Sequence, residues 1–263
     1  MGDLAEHRGH VTKRAKSARA VSRAIEIFAR AFAFTRSFNY PAVAERVGEL
    51  WVIRDAPRKR TADYRREEWV ACGIEPAEVD EIVRPQTRGR FCICAMNAAG
   101  ESELALRAGY KSLGYRLLTT EACMTHELRR IPAVPEPFPV HRVTTTKLAD
   151  RLAKAAGRRQ VLPEHFGLDS PLRQYVALDK KKVVGWARSI RVGKATWVSN
   201  MHVQPKYRRR GIGKSILARL LRDDRALGSN LSVLLASHAG SLLYPTVGYT
   251  QIGELLVYSP IRK

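Results

Sequence analysis

Between Lys206 and Ser215 the chain reads KYRRRGIGKS, five cationic side chains and two glycines in ten residues. Such a stretch can hold an anion by charge alone, as a nucleic-acid patch does, by a nucleotide-binding P-loop, or by backbone amides that glycines leave open. The P-loop pattern G-x-x-x-x-G-K-[ST] ends correctly at Gly213, Lys214 and Ser215, but its opening glycine falls on Arg208. The dinucleotide pattern G-x-G-x-x-G fails at Ile216. A plain charge patch accounts for the arginines and leaves the glycines unexplained. What fits is R-x-x-G-x-G at Arg208, Gly211 and Gly213, a loop that turns successive N–H groups toward one point. The helix that follows adds partial positive charge there, which makes a cradle for a pyrophosphate. Lys206, Arg209, Arg210 and Lys214 surround it.

Such a loop needs a strand before it and a helix after it. ATWVSNMHV, ending ahead of Pro205, predicts the strand, and alternation along it would put Asn200 and His202 on one face. Ile212, Ile216, Leu217, Leu220 and Leu221 recur at helical spacing and predict the helix. Upstream, Tyr175 to Leu178 and Val183 to Ile190 flank a polar turn at Asp179 and Lys180 and read as a hairpin. VHRVTT reads as a first strand and Lys147 to Ala156 as a helix. Downstream, LSVLLAS is a buried strand, Ala239 to Val247 a short helix, and QIGELLVYS a closing strand or hairpin.

The first half has the same flavour with less chemistry. Val21, Ile25, Phe28 and Phe32 mark an amphipathic helix over Ser17 to Phe34, with Arg19, Arg23 and Arg30 on the wet side. ELWVIRDA and GRFCICAMN read as strands, Tyr64 to Arg84 as a charged helix broken at Gly73 to Pro76, Glu101 to Leu113 as a helix and Tyr115 to Leu128 as extended. Pro132, Pro135, Pro137 and Pro139 deny backbone donors, so residues 132–139 are expected to link a domain over 1–131 to one over 140–263. Tyr110-x-x-x-Gly114-Tyr115 and Tyr244-x-x-x-Gly248-Tyr249 repeat one pattern at an offset of 134 residues.

VQPKYRRRGIGKSILARLL resembles motif A of the GCN5-related N-acetyltransferases, the GNAT superfamily, whose pattern is V-x-P-x-[YF]-R-x-x-G-[IVL]-G before an amphipathic helix. Val203, Pro205, Tyr207, Arg208, Gly211, Ile212 and Gly213 match it, and the resemblance extends from about Val140 to Ser259. It implies an α/β GNAT fold, a mixed central sheet flanked by helices, and an acyltransferase that moves acetyl from acetyl-CoA to an amine, with no metal. In this family the donor lies where two parallel strands part. The resemblance therefore implies that Met201, His202 and Val203 contact pantetheine, and that Arg208, Arg209, Arg210, Gly211, Ile212, Gly213 and Lys214 hold the pyrophosphate. Ser237 falls near a slot where relatives carry a pantetheine-binding asparagine, and Tyr244 falls where many carry the acid that protonates the leaving thiolate. LSVLLAS lacks the glutamate that some relatives use as base, which leaves His202 or a water relay through Asn200 or backbone carbonyls. ALRAGYKSLGYRLLTTEACMTHEL resembles the closing part of a second GNAT unit, so the chain is expected to be tandem. Stepping back 134 residues from the glycine loop gives IEPAEV, with no glycine and two glutamates, so the first copy would be degenerate and would not bind CoA in this way.

At 263 residues, 45% apolar and 27% charged, the chain has the composition of a folded protein, and no apolar run approaches the length of a membrane span. We expect a cytoplasmic protein with reduced cysteines at positions 72, 92, 94 and 123, monomeric or homodimeric. A net charge of +21 draws anionic partners of any kind. It keeps a second function class open, a basic GNAT-like module that binds RNA, DNA or the ribosome without catalysis.

Overall fold

The computed structural model describes the backbone of residues 3–100 and 102–261, with side chains from residue 18 onward. The expectations that touch Glu101 and the Ser17 side chain lie outside the described residues. The chain forms two units, one of Met1–Met124 with Leu235–His238 and Gln251–Lys263, the other of Thr125–Leu234 with Ala239–Thr250. The division thus falls at Met124, and the proline-rich segment 132–139 lies inside the second unit. Among the described residues no helix is long and apolar enough to cross a membrane.

In the first unit α1 (Asp3–Arg36) is followed by β1 (Ala42–Val47), β2 (Leu50–Asp55), β3 (Glu67–Cys72), α2 (Pro76–Gln86), β4 (Phe91–Ala98), α3 (Leu104–Ser112) and β5 (Tyr115–His126). β1, β2 and β3 pair antiparallel in order, and β3 pairs parallel with β4 through the crossover helix α2. The last strand of the chain, Thr250–Pro260, runs antiparallel to β4, with Gly253 against Ala98 and Tyr258 against Ile93. α1 buries Val21, Ile25 and Phe28 and leaves Arg19, Arg23 and Arg30 exposed, as its spacing predicts.

The stretch over Tyr64 to Arg84, expected to be a helix broken at Gly73 to Pro76, does break there and is helical after the break as α2, but before it the chain forms β3 instead. Its charges misled because the fold neutralises them. The Glu67 carboxylate accepts from Trp69 Nε1 at 3.0 Å and Thr87 Oγ1 at 3.0 Å, and Glu68 is paired with Arg36. Trp69 and Val70 then serve the core with Leu50, Ile93 and Tyr110.

The second unit opens with β6 (Val140–Arg142) and α4 (Thr146–Ala156) and continues with β7 (Leu172–Asp179), β8 (Lys182–Val192), β9 (Ala195–Val203), α5 (Ile212–Ala226), β10 (Leu231–Ala236) and α6 (His238–Ser241). The closing strand described above is β11. The sheet order is β6-β7-β8-β9-β10, antiparallel up to β9 and parallel between β9 and β10. The predicted hairpin is present, with Lys180 at φ +53° in its turn. The short helix expected over Ala239 to Val247 splits into α6 and a 3-10 turn at Tyr244–Val247, because Pro245 has no N–H to continue it.

α5 lies on β8 because Gly185 leaves room for it. A Cβ there would sit 2.9 Å from Ile212 Cγ2 and 3.1 Å from Ile216 Cδ1. Further along the same helix, the fully buried Asp224 accepts from Arg173 Nη2 at 2.6 Å and from Ser189 Oγ at 2.7 Å. This ties β7 and β8 to α5. The proline-rich segment is fastened rather than loose. Phe138 packs edge-on to Tyr207 at 5.7 Å, and Glu136 lies 3.7 Å from Arg222.

Candidate active site

β9 carries an extra residue in its middle. Trp186 of β8 pairs with His202 while Arg188 pairs with Ser199, so the strand bulges between them, and Asn200 sits at φ +56°. Asparagine tolerates this left-handed backbone better than most residues, and its Nδ2 is held by Gln160 Oε1 at 2.5 Å. The bulge breaks the alternation expected for Asn200 and His202, because Ser199 takes the paired position instead. On the other edge, β9 pairs with β10 from Ala195–Leu231 to Trp197–Val233, and no pairing of the two is found beyond that point among the described residues. The parting of the strands and the bulge therefore coincide.

Met201, His202 and Val203 follow the bulge, all half-buried. The His202 ring stacks on Trp186 at 4.4 Å and 23°. Burial lowers its pKa below the ordinary 6.5, and the charge of Arg208 adds to this. The imidazole is therefore neutral at pH 7 and able to accept a proton.

After Val203 a 3-10 turn, Pro205–Tyr207, leads into the loop. Tyr207 pins it: its hydroxyl donates to Asp179 Oδ2 at 2.8 Å, and its ring meets Lys182 at 5.5 Å and Arg210 at 5.4 Å. Arg209 at φ +62° and Gly211 at φ +79° fold the backbone into a concave nest at the N-terminus of α5. Gly211 is the N-cap and offers no capping side chain, and the amides of Ile212, Gly213 and Lys214 find no acceptor among the described residues. Those orphan donors and the helix dipole can hold an anion, and the exposed Arg208, Arg209 and Arg210 lie in the same loop.

Gly213 brings the next piece close. A Cβ there would lie 3.0 Å from Leu243 Cδ2 and 3.8 Å from Val203 Cγ2. Leu243 thus lies beside the cradle, and Tyr244 follows it directly. The Tyr244 turn is anchored from below: His126 Nε2 donates to Val247 O at 3.0 Å, and Gly248, at φ +102°, leaves space for that ring. Tyr244 is 7% exposed, and burial pushes its pKa up to about 12. It is a protonated phenol at any physiological pH.

The fold thus brings Met201 to Val203, Arg208 to Lys214 and the Leu243–Tyr244 turn together in the second unit. Ser237 is exposed after β10 and groups with the first unit. Sequence reasoning missed Trp186, the Gln160–Asn200 bond, and the packing of Pro137 and Phe138 on the loop. None of these carried a local signal, since each depends on a partner distant in sequence. A cleft of about 720 Å³ bearing Arg66, Arg90 and Arg116 belongs to the first unit and shares no residue with the cradle.

A family model for the acetyltransferase (GNAT) domain matches residues 171–251, which contain the bulge, the cradle and Tyr244. No curated protein matches the chain. Among solved structures, a GCN5-related N-acetyltransferase from Kribbella flavida is similar at TM-score 0.64 and 15% identity, over 90% of this chain and 96% of that one. A GCN5-related N-acetyltransferase-like protein from Streptococcus suis gives 0.54 and 14%, over 93% and 98%. A tandem GNAT protein from the clavulanic acid biosynthesis pathway gives 0.50 and 11%, over 86% of each chain. At these identities the likeness is one of fold. Residues 171–251 thus form an acetyltransferase (GNAT) domain by the family model, and the chain has the fold of the GCN5-related N-acetyltransferases.

Proposed function

We propose that the chain is an acetyl-CoA-dependent N-acetyltransferase whose acceptor is a primary amine, with catalysis in the domain over 140–263. The observation that carries the reading is the meeting of the unpartnered amides at Gly211 to Lys214 with the released edge of β9. The first suits a pyrophosphate, and the second suits the amide groups of pantetheine. The cradle would hold the donor by Arg208 to Lys214, and Met201 to Val203 would lie along its arm.

The neutral amine nitrogen attacks the thioester carbon, and a C–N bond forms. The tetrahedral intermediate then collapses with cleavage of the C–S bond. Tyr244 gives its proton to the departing sulfur, and the proton lost by the amine goes to His202 or to water held near Asn200. Burial suits both groups, since it keeps the phenol protonated and the imidazole neutral.

The first unit is read as a degenerate copy of the same plan. It has the same order of three antiparallel strands, a crossover helix and a parallel strand. Its helix α2 begins with Glu75 and Pro76 in place of the glycine loop, and a Cβ on Gly109 of α3 would meet Pro76 Cγ at 2.7 Å. Another helix thus packs at the point where a cradle would open.

Thermal shift with acetyl-CoA tests the reading, together with release of CoA in the presence of amines. No rise in Tm at millimolar acetyl-CoA would sink it. Co-purified nucleic acid with a steep salt dependence would then favour the binding-module alternative.

A further inference from the structure

β8 presents two donors side by side with nothing to donate to. Trp186 Nε1 and Arg188 Nε are both shielded from solvent, and neither has a hydrogen-bond partner among the described residues. They are two residues apart on one strand, so they share a face about 7 Å apart. That face is opposite Ser189, which is turned to Asp224 on α5. Trp186 is also the residue on which His202 stacks.

Arg188 has no ion pair among the described residues. The one charge that bears on it is that of another cation, Arg158, and burial followed by this repulsion pushes its pKa down to about 10. Arg188 is half-buried with its Nε shielded from solvent, and a shielded cationic N–H without a counter-ion is costly, as is a buried indole N–H without an acceptor. Arg173, by contrast, is fully buried and has its charge met by Asp224. The loop that carries Arg158 is held onto the bulge, since Gln160 donates to Arg158 O at 3.2 Å and accepts from Asn200. The loop that brings this positive charge is therefore tied to the bulge.

We infer that the acceptor amine carries a carboxylate, which Arg188 binds by charge-assisted hydrogen bonds with Trp186 Nε1 as a second donor, so that the acceptor is of the amino-acid type. A planar carboxylate matches a guanidinium fork, and its two oxygens supply acceptors for both donors. Bound there, the substrate has its amine within a few bonds of the carboxylate and next to His202. This rests on the acetyltransferase reading and adds to it the class of acceptor.

The test uses the full chain and paired probes. A set of α-amino acids is compared with the corresponding decarboxylated amines for CoA release. Independently of turnover, N-acetylglycine and N-methylacetamide are titrated into the CoA-bound protein while tryptophan fluorescence is followed. The carboxylate-bearing member of at least one amino-acid pair should win by about 100-fold in kcat/KM, and N-acetylglycine alone should bind. Arg188→Gln should raise KM for the amino acid with little change in kcat and leave the acetyl-CoA shift intact. Equal use of amino acids and bare amines, or N-acetylglycine that does not bind, overturns the inference even if Arg188→Gln fails to fold. Loss of the acetyl-CoA shift in the wild-type protein would instead overturn the acetyltransferase reading beneath it.

Discussion

Tyr249 meets Tyr244 edge to face, with ring centroids 5.7 Å apart at 66°, and the two phenols have opposite fates. The Tyr249 hydroxyl is bonded to Ser232 Oγ at 2.7 Å, whereas that of Tyr244 has no partner among the described residues. The first unit repeats the pair at Tyr110 and Tyr115, also 5.7 Å apart, at 80°. There Tyr115 donates to Asp80, and Tyr110 is fully buried with its ring stacked 4.4 Å from Tyr258. The Tyr110 hydroxyl also lacks a partner, but it is sealed at 0% exposure, whereas Tyr244 is 7% exposed.

Removal of that phenol alone should separate chemistry from binding. Tyr244→Phe keeps the ring contact with Tyr249, so acetyl-CoA affinity should hold while kcat falls by about 100-fold, as for loss of a general acid. Because burial raises the Tyr244 pKa to about 12, the wild-type kcat profile should show no alkaline fall below about pH 10 from this group. Stopped-flow detection of the released thiol reads both, and an unchanged kcat in the variant removes Tyr244 from the mechanism.

Gly211→Asp tests the cradle. Its φ of +79° is a conformation that aspartate tolerates better than other side chains, and the nearest atom to a new Cβ is Pro137 Cγ at 3.9 Å. The fold should survive, but a carboxylate would face the pyrophosphate. The acetyl-CoA thermal shift should vanish at ligand concentrations that saturate the wild type, with the ligand-free Tm within a few degrees. A retained shift would mean that the donor is held elsewhere.

Much of the second unit was legible because its signals are local. The periodicity of Ile212 to Leu221, the hairpin turn at Lys180 and the glycines of the loop each report on neighbouring residues. β3 was not legible: Glu67 and Glu68 read as solvent-facing until Trp69, Thr87 and Arg36, drawn partly from far along the chain, become their partners. The bulge at Asn200 was hidden for a related reason. An extra residue in a strand leaves composition unchanged and shows only in the register against β8. The return of β11 to the first unit likewise has no mark in its own residues, since β11 alternates like any half-buried strand.

The Arg173–Asp224 pair should dominate the mutational sensitivity of the second unit. Both side chains are 0% exposed, and burial pushes the Asp224 pKa up against the lowering effects of Arg173 and Ser189. Asp224→Ala leaves a buried guanidinium uncompensated and should cost about 3–5 kcal/mol. The double variant Arg173→Met, Asp224→Leu should recover a large part of this, because apolar groups of similar size need no counter-ion. Urea denaturation of both variants checks it, and a loss under about 1 kcal/mol for Asp224→Ala would show that Arg173 finds another partner.

Stability should also depend on pH in two opposed steps, both from the first unit. Burial lifts the Glu68 pKa from 4.5 to about 7, and the nearby Arg36 only partly offsets it. The folded state then holds a proton that the unfolded state lacks between those values, so stability should rise as pH falls from 7 toward 4.5. Asp55 has the reverse sign. Burial opposes its charge, but donors outweigh it, with Arg65 Nε at 2.7 Å, the Arg65 amide at 3.1 Å and Arg58 Nε at 2.7 Å. They hold its pKa down from 3.8 to about 2, so its contribution is complete above 3.8 and is lost as pH falls toward 2. The urea midpoint should therefore be highest between about pH 4 and 5. Glu68→Gln should flatten the limb above the maximum and spare the one below it. A midpoint that is constant from pH 7 to 5 in the wild type would mean that Arg36 keeps Glu68 ionised.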